Sequence, residues 1–146
     1  MGDGGIPLRI SARIVAILLL VLLPGVSQAG AERFDGKWQT TVSCEPSRGA
    51  LGFSYRFMSE VKGGKLSGLH GTEDRPGYLF VDGVIEDDGS AKLYAKGQTN
   101  SREFVPGKET PPGTEYGYHV NAHFDDRKGT GRRVEGRACS YEFERK

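Results

Sequence analysis

The sequence has few cysteines, almost no net charge and no long apolar run. Its longest uninterrupted apolar stretch, residues 14–23, is about half of the roughly twenty residues that a membrane-spanning helix needs. Twenty lysine and arginine residues stand against nineteen aspartate and glutamate residues, and this balance excludes a general electrostatic grip on nucleic acid. Two cysteines in the whole chain allow at most one intramolecular disulfide.

The beginning of the chain has the order of an export signal. Two arginines precede the apolar run, and small residues follow it up to Ala29. This order predicts a secretory signal that is cleaved after Ala29 or Ala31, with a retained membrane anchor as the alternative. We therefore expect a signal peptide at 1–29 and a single mature domain at 30–146, located in the periplasm or outside the cell and without a membrane span.

Export also bears on the two cysteines, Cys44 and Cys139. An exported protein folds in an oxidising compartment, where two thiols with no others to compete favour one disulfide. The alternative is a pair of free buried cysteines. We expect the disulfide.

Apolar and polar residues alternate with a period of two through the mature chain, and no stretch keeps the spacing of an amphipathic helix. Glycine, proline and aspartate clusters separate the alternating runs, which is typical of antiparallel strands joined by hairpins. The predicted strands are residues 37–44, 51–61, 65–71, 78–85, 90–98, 116–124, 130–134 and 137–145. Eight such strands predict an all-β, antiparallel up-and-down meander that closes into a barrel, with a β-sandwich as the alternative.

Tyrosines occur repeatedly on the faces that the alternation turns inward. They are Tyr55, Tyr116, Tyr118 and Tyr141. A tyrosine inside a barrel brings a hydroxyl that needs a hydrogen-bond partner, so these residues are candidates for lining a small, polar-edged cavity. An eight-stranded barrel holds either packed side chains or one small ligand, and of the two we favour the packed core.

Catalytic and metal-binding patterns do not emerge from the sequence. His119 and His123 share one face of a predicted strand but lie about 13 Å apart along it, too far to bind one ion without a bend. We expect no catalytic residue, no metal and no cofactor. The basic segment 127–137 fits either contact with an anionic partner or a solvated, charged hairpin.

The first predicted strand carries a motif found in a known group of barrels. Residues 34–38 read FDGKW, and a Gly-x-Trp at the opening of a small secreted meander barrel resembles the calycins. That group includes lipocalins, avidins and compact bacterial inhibitors of secreted metalloproteases, and residues 82–91 resemble a hairpin of those inhibitors. The mature chain is also similar to small secreted bacterial proteins of uncharacterised function. It lacks the late helix of lipocalins, and Trp38 is its single tryptophan, so biotin binding is not inferred.

Strand parity and the disulfide together predict how the barrel closes. The first and last strands of an even-stranded meander are antiparallel neighbours, so a bridge between opposed Cys44 and Cys139 sets their register. Trp38 then faces Arg145, and a late arginine packed over the first-strand tryptophan is also what the calycin resemblance implies. We expect this pair to close the barrel floor with a cation–π contact worth roughly 0.5–2 kcal/mol.

The leading functional hypothesis is a non-catalytic, exported binding protein for a small ligand or a protein partner. Its binding surface is expected at a barrel mouth framed by residues 45–50 and 100–113. In the second loop we expect Phe104 and Val105 to fold back over one barrel end while the rest of the loop stays mobile. The alternative, implied by the resemblance, is an inhibitor of a secreted hydrolase that inserts residues 30–34 into the enzyme cleft. A third hypothesis is an enzyme with its site at the barrel mouth.

Overall fold

A computed structural model describes residues 1–2, 4–5 and 29–146 of the chain. The apolar run of the predicted signal peptide, residues 14–23, lies outside the described residues. Within the described part, no helix combines the length and the apolar character needed to span a membrane.

Eight antiparallel strands follow one another around a closed barrel in sequence order. They are β1 Gly36–Cys44, β2 Phe53–Lys62, β3 Lys65–His70, β4 Leu79–Ile85, β5 Ser90–Gln98, β6 Glu115–Phe124, β7 Lys128–Arg133 and β8 Cys139–Arg145. The predicted up-and-down meander barrel is confirmed. The sandwich alternative is wrong, because β8 pairs with β1 and leaves no open edge between them.

Alternation of side chains explains why these segments become the walls of a barrel. In β5, for example, Ala91, Leu93 and Ala95 are buried, while Lys92 and Lys96 point outward. Burial of the inward set from every strand creates one core, and the outward set keeps the opposite face in water. Pairing all the way round satisfies the backbone hydrogen bonds that an open sheet would leave exposed.

Closure of the barrel follows the predicted register. Cys44 and Cys139 form a disulfide, and the paired positions run from Cys44 opposite Cys139 to Trp38 opposite Arg145. Both predictions are confirmed. The guanidinium carbon of Arg145 lies 5.6 Å from the centre of the Trp38 ring, so the expected cation–π contact is present.

Several segments differ from the sequence-based expectation. Strands β2 and β8 begin two residues after their predicted starts, at Phe53 and Cys139. A helical turn, α1 Ala29–Glu32, precedes the barrel, although no helix was expected there. Strand β7 begins two residues before the predicted start. The cause is Asp125, whose carboxylate accepts hydrogen bonds from the backbone N–H groups of Arg127 (2.8 Å) and Lys128 (2.7 Å) and so completes the turn early.

The two ends of the barrel have different connections. At one end, here called the floor, the strands are joined by the short turns 63–64, 86–89 and 125–127. At the other end, the mouth, they are joined by longer loops. These are residues 45–52, 71–78, 99–114 and 134–138. The meander places the longer connections at the mouth, which makes this end the place where a binding surface built from loops is expected.

The floor is filled by interlocking aromatic side chains. Trp38 is fully buried, and its Nε1 donates a 2.9 Å hydrogen bond to the carbonyl of Phe34. The ring of Phe124 packs edge-on against Trp38 at 5.4 Å and lies 4.7 Å from Phe143. A side chain at Gly129 would collide with the Phe124 ring, so β7 makes room for this cluster by having none.

Arg145 ties the floor to the segment that precedes β1. One terminal nitrogen of its guanidinium donates 2.9 Å hydrogen bonds to the carbonyls of Arg33 and Asp126. The other terminal nitrogen donates to the carbonyl of Asp35. Three chain segments are thus joined by one side chain that also covers Trp38.

Candidate functional site

The upper part of the barrel encloses a cavity of about 530 Å³ that opens at the mouth. The packed core that we favoured fills only the part nearer the floor. Two pairs of aromatic rings near the mouth stack along their own strands. Phe53 and Tyr55 are parallel neighbours in β2, and Tyr116 and Tyr118 are parallel neighbours in β6, with ring centres 5.6 Å and 6.1 Å apart.

These two aromatic pairs lie on opposite walls. Three strands separate β2 from β6 in either direction around the eight-stranded barrel. Three of the four tyrosines that we proposed as cavity lining, Tyr55, Tyr116 and Tyr118, do line the space. A ligand inside the mouth therefore has aromatic surface on two sides.

Tyr141 is not among the residues that line the cavity. It is 1% exposed and packs with the core, where its hydroxyl lies 2.7 Å from the hydroxyl of Tyr118. This buried pair satisfies both phenols and separates the cavity from the filled core below. Burial raises the pKa of Tyr141 and of Tyr118, so both hydroxyls stay protonated and hydrogen-bonded near neutral pH.

The hydroxyls of Tyr55 and Tyr116 are in a different position. Among the described residues, neither takes part in a hydrogen bond with the protein. Burial raises the pKa of both phenols, and the nearby Arg133 charge acts in the opposite direction. Both side chains are thus neutral donors that remain available inside the cavity.

His70 forms part of the same wall, although sequence reasoning did not select it. Its imidazole stacks on Tyr55 with ring centres 4.0 Å apart. Burial lowers the pKa of His70, which favours the neutral ring near pH 7. The alternation of inward and outward residues could have identified His70, since it continues the inward series of Leu66 and Gly68 in β3.

Two arginines of the basic segment 127–137 also reach the cavity. The Arg133 guanidinium lies 3.9 Å from the centre of the Tyr118 ring, and that of Arg137 lies 5.2 Å from the Phe53 ring. Arg133 follows Gly129 and Gly131 on the inward side of β7, so the same alternation could have identified it. The solvated charged face that we expected as one alternative therefore includes Arg132, which points to solvent, but not these two side chains, which line the cavity.

Arg137 holds the mouth loops together. Its terminal nitrogens donate to the carbonyl of Phe104 at 2.7 Å, to that of Leu51 at 3.0 Å and to that of Glu45. Its Nε is the single buried side-chain nitrogen or oxygen without a hydrogen bond in the described part of the chain. Loops 45–52 and 99–114 are thereby joined across the rim.

The loop pair that was expected to cover one barrel end does so. Phe104 ends a short 3-10 turn, Arg102–Phe104, and packs edge-on against Phe53 with ring centres 5.9 Å apart. Val105 also lines the cavity. Farther along the loop, the hydroxyls of Thr99 and Thr114 both donate to the carbonyl of Pro111, which fixes its return to β6.

The histidines that we weighed as metal ligands lie on the outer surface. His119 is exposed and its Nδ1 lies 2.5 Å from a carboxylate oxygen of Glu135, while His123 is exposed on the same outer face. Within the described residues, no group of three histidine, cysteine, aspartate or glutamate side chains is placed to hold a metal ion.

Comparison of the chain with protein-family models, with curated proteins and with solved structures gives no match.

Proposed function

We propose that this protein is a non-catalytic, calycin-type binding protein that works after export and takes one small ligand into the barrel mouth. The observation that carries the proposal is the cavity of about 530 Å³. Its size lies within the usual range for small-molecule sites, roughly 300–1,000 Å³. Its combination of aromatic walls with a few free polar groups is typical of such sites.

Construction of the rim supports a site that is formed before the ligand arrives. Arg137 joins the two mouth loops through three backbone carbonyls. The backbone N–H of Leu51 also donates a 2.7 Å hydrogen bond to the carbonyl of Glu103 across the same rim. A pre-formed rim lowers the entropy cost of binding.

The calycin type is supported by the closure of the barrel. The fold is an eight-stranded meander, the Gly-x-Trp stands at its opening strand, and Arg145 covers Trp38. The inhibitor alternative gains no comparable support. Phe34 is fully buried, and α1 approaches the floor turns so closely that a side chain at Gly64 would meet Ala31. In this conformation the segment is part of the floor.

Native mass spectrometry of the protein purified from its own host tests the proposal. The expected result is one non-covalent small molecule per chain. A second arm titrates phenylnaphthylamine, a neutral fluorescent aromatic probe, into protein freed of any bound molecule. We expect saturable binding with one site per chain.

A matched pair of variants locates that binding. Val105→Trp places a large ring in the cavity and should abolish probe binding, whereas Met58→Trp adds the same ring on the exposed outer wall and should leave binding unchanged. Absence of both a retained molecule and probe binding would refute the proposed function.

A further inference from the structure

The charges around the cavity are unbalanced. Its lining contains the arginines Arg48, Arg133 and Arg137 against a single acidic residue, Glu115. Among the described residues, no carboxylate lies within 4 Å of any of these guanidinium groups. Inside a partly enclosed, low-dielectric space this excess of positive charge favours an anion.

The three arginines differ in exposure and in how many of their guanidinium N–H groups are already hydrogen-bonded. Both terminal nitrogens of Arg137 donate to backbone carbonyls, and Arg48 is exposed at the rim. Arg133 is half-buried, and only its Nε is engaged, with the carbonyl of Glu135. Its two terminal nitrogens make no hydrogen bond to the described residues, so the outer edge of its guanidinium is free.

The position of the Arg133 guanidinium also favours contact with a ligand in the cavity. The Arg133 guanidinium carbon lies 3.9 Å from the centre of the Tyr118 ring, and the Nε hydrogen bond to Glu135 restricts rotation of the group. The free hydroxyls of Tyr55 and Tyr116 stand on the two opposing walls. A planar body that touches both aromatic pairs would bring an attached oxyanion to the guanidinium edge, whose fork of N–H donors matches two oxygens of one group.

We propose that the ligand is a flat, aromatic or conjugated molecule with one carboxylate-like or sulfonate-like anionic group, whose ring contacts the Phe53–Tyr55 and Tyr116–Tyr118 walls and whose oxygens bind Arg133. This inference rests on the proposed small-molecule site. A single negative charge is specified because Arg133 is the half-buried arginine with a free guanidinium edge, and because Glu115 opposes a second anionic group at the rim.

Two fluorescent probes with the same ring system separate the two proposals. Phenylnaphthylamine is neutral, and anilinonaphthalene sulfonate carries an added sulfonate. Wild-type protein should bind the sulfonate probe about tenfold or more tightly than the neutral one, which is the gain of a charge-assisted hydrogen-bonded pair. Arg133→Gln should raise the Kd of the sulfonate probe about tenfold or more while changing that of the neutral probe less than about twofold.

Control variants define the cause. Arg132→Gln removes the same charge from the neighbouring, outward-facing position and should leave both affinities unchanged. Arg133→Lys keeps the charge without the planar fork and should give an intermediate affinity for the sulfonate probe. Binding of the neutral probe to each variant reports that the cavity is intact.

The possible failures are distinct. If neutral-probe binding is retained but the sulfonate brings no gain, or if Arg133→Gln weakens both probes equally, the anionic ligand class is wrong and the binding site stands. If neither probe binds to wild-type protein, the anionic aromatic ligand class is wrong; if native mass spectrometry also finds no retained molecule, the proposed binding function is refuted as well.

Discussion

The floor and the mouth of this barrel are each closed by an arginine that covers an aromatic ring and donates to three backbone carbonyls. Arg145 does so over Trp38, and Arg137 does so over Phe53. Beneath Arg145 the space is filled, whereas beneath Arg137 it is open. The same arrangement, an arginine that covers a ring and binds three carbonyls, therefore occurs at the filled end and at the open end of the barrel.

The difference between the two ends comes from the side chains behind each arginine. At the floor, the aromatic rings meet at steep angles across the axis, as Trp38 and Phe124 do at 88°. At the mouth, Tyr116 and Tyr118 stack in parallel along a single strand at 5°, and Phe104 packs edge-on against Phe53 only at the rim. The floor rings are buried in the core, whereas the mouth rings border the cavity, so the floor should account for most of the folding stability and the mouth for binding.

The largest expected effect tests that division with two phenylalanines. Phe124→Ala removes a fully buried ring from the floor cluster and should lower the free energy of unfolding by about 3–5 kcal/mol. Phe53→Ala removes a partly buried ring from the cavity wall and should cost less than about 2 kcal/mol. Urea unfolding followed by circular dichroism measures both. Equal losses would show that the mouth is packed as firmly as the floor.

An intermediate effect is expected from the two covering arginines. Arg145→Ala should lower the free energy of unfolding by about 1–3 kcal/mol through lost hydrogen bonds and the lost cation–π contact. It should also shift Trp38 fluorescence while leaving the disulfide formed. Arg137→Ala is the matched variant at the mouth and should leave the tryptophan emission unchanged. An Arg145→Ala protein with unaltered melting and emission would mean that this side chain does not close the floor.

The smallest effect concerns pH and the mouth alone. Because burial depresses the pKa of His70 in the folded protein, protonation favours the unfolded chain. The stabilising contribution is present above the unfolded pKa of about 6.5 and is lost as the pH falls below it. The Tm should therefore drop less between about pH 7.5 and about pH 5.5 in His70→Phe than in wild type. His123→Gln, at an exposed position, should keep the wild-type slope, and an identical slope in all three proteins would contradict the assignment.

Sequence reasoning reached the fold because strong local patterns coincide with it. Alternation in β5 and β6 fixed which residues face inward, and the cysteine pair then set the register that brings Trp38 opposite Arg145. The prediction of strand bounds failed where glycines take the place of inward-facing side chains. Gly129 and Gly131 carry no polarity to read, so the start of β7 was placed too late.

The candidate site was only partly predictable for a related reason. The alternation of inward and outward residues identified the three lining tyrosines. The same alternation also turns His70 and Arg133 inward, but sequence reasoning usually assigns a polar residue to the surface. Tyr141 shares the inward parity and lies below the cavity, because alternation gives a direction and not a depth. Depth depends on strand tilt and loop length, which the sequence pattern does not encode.

The disulfide has a mechanical consequence, because it joins β1 and β8 at the mouth while these strands begin and end at the floor. A force that pulls residues 36 and 145 apart would separate β1 from β8 one residue pair at a time, starting at the floor. The advance stops at Cys44 and Cys139, since tension then passes through the sulfur bridge. The 95-residue span between them is shielded from the load, so reduction should release roughly 300 Å of additional extension. The residues that line the proposed ligand site lie within that shielded span.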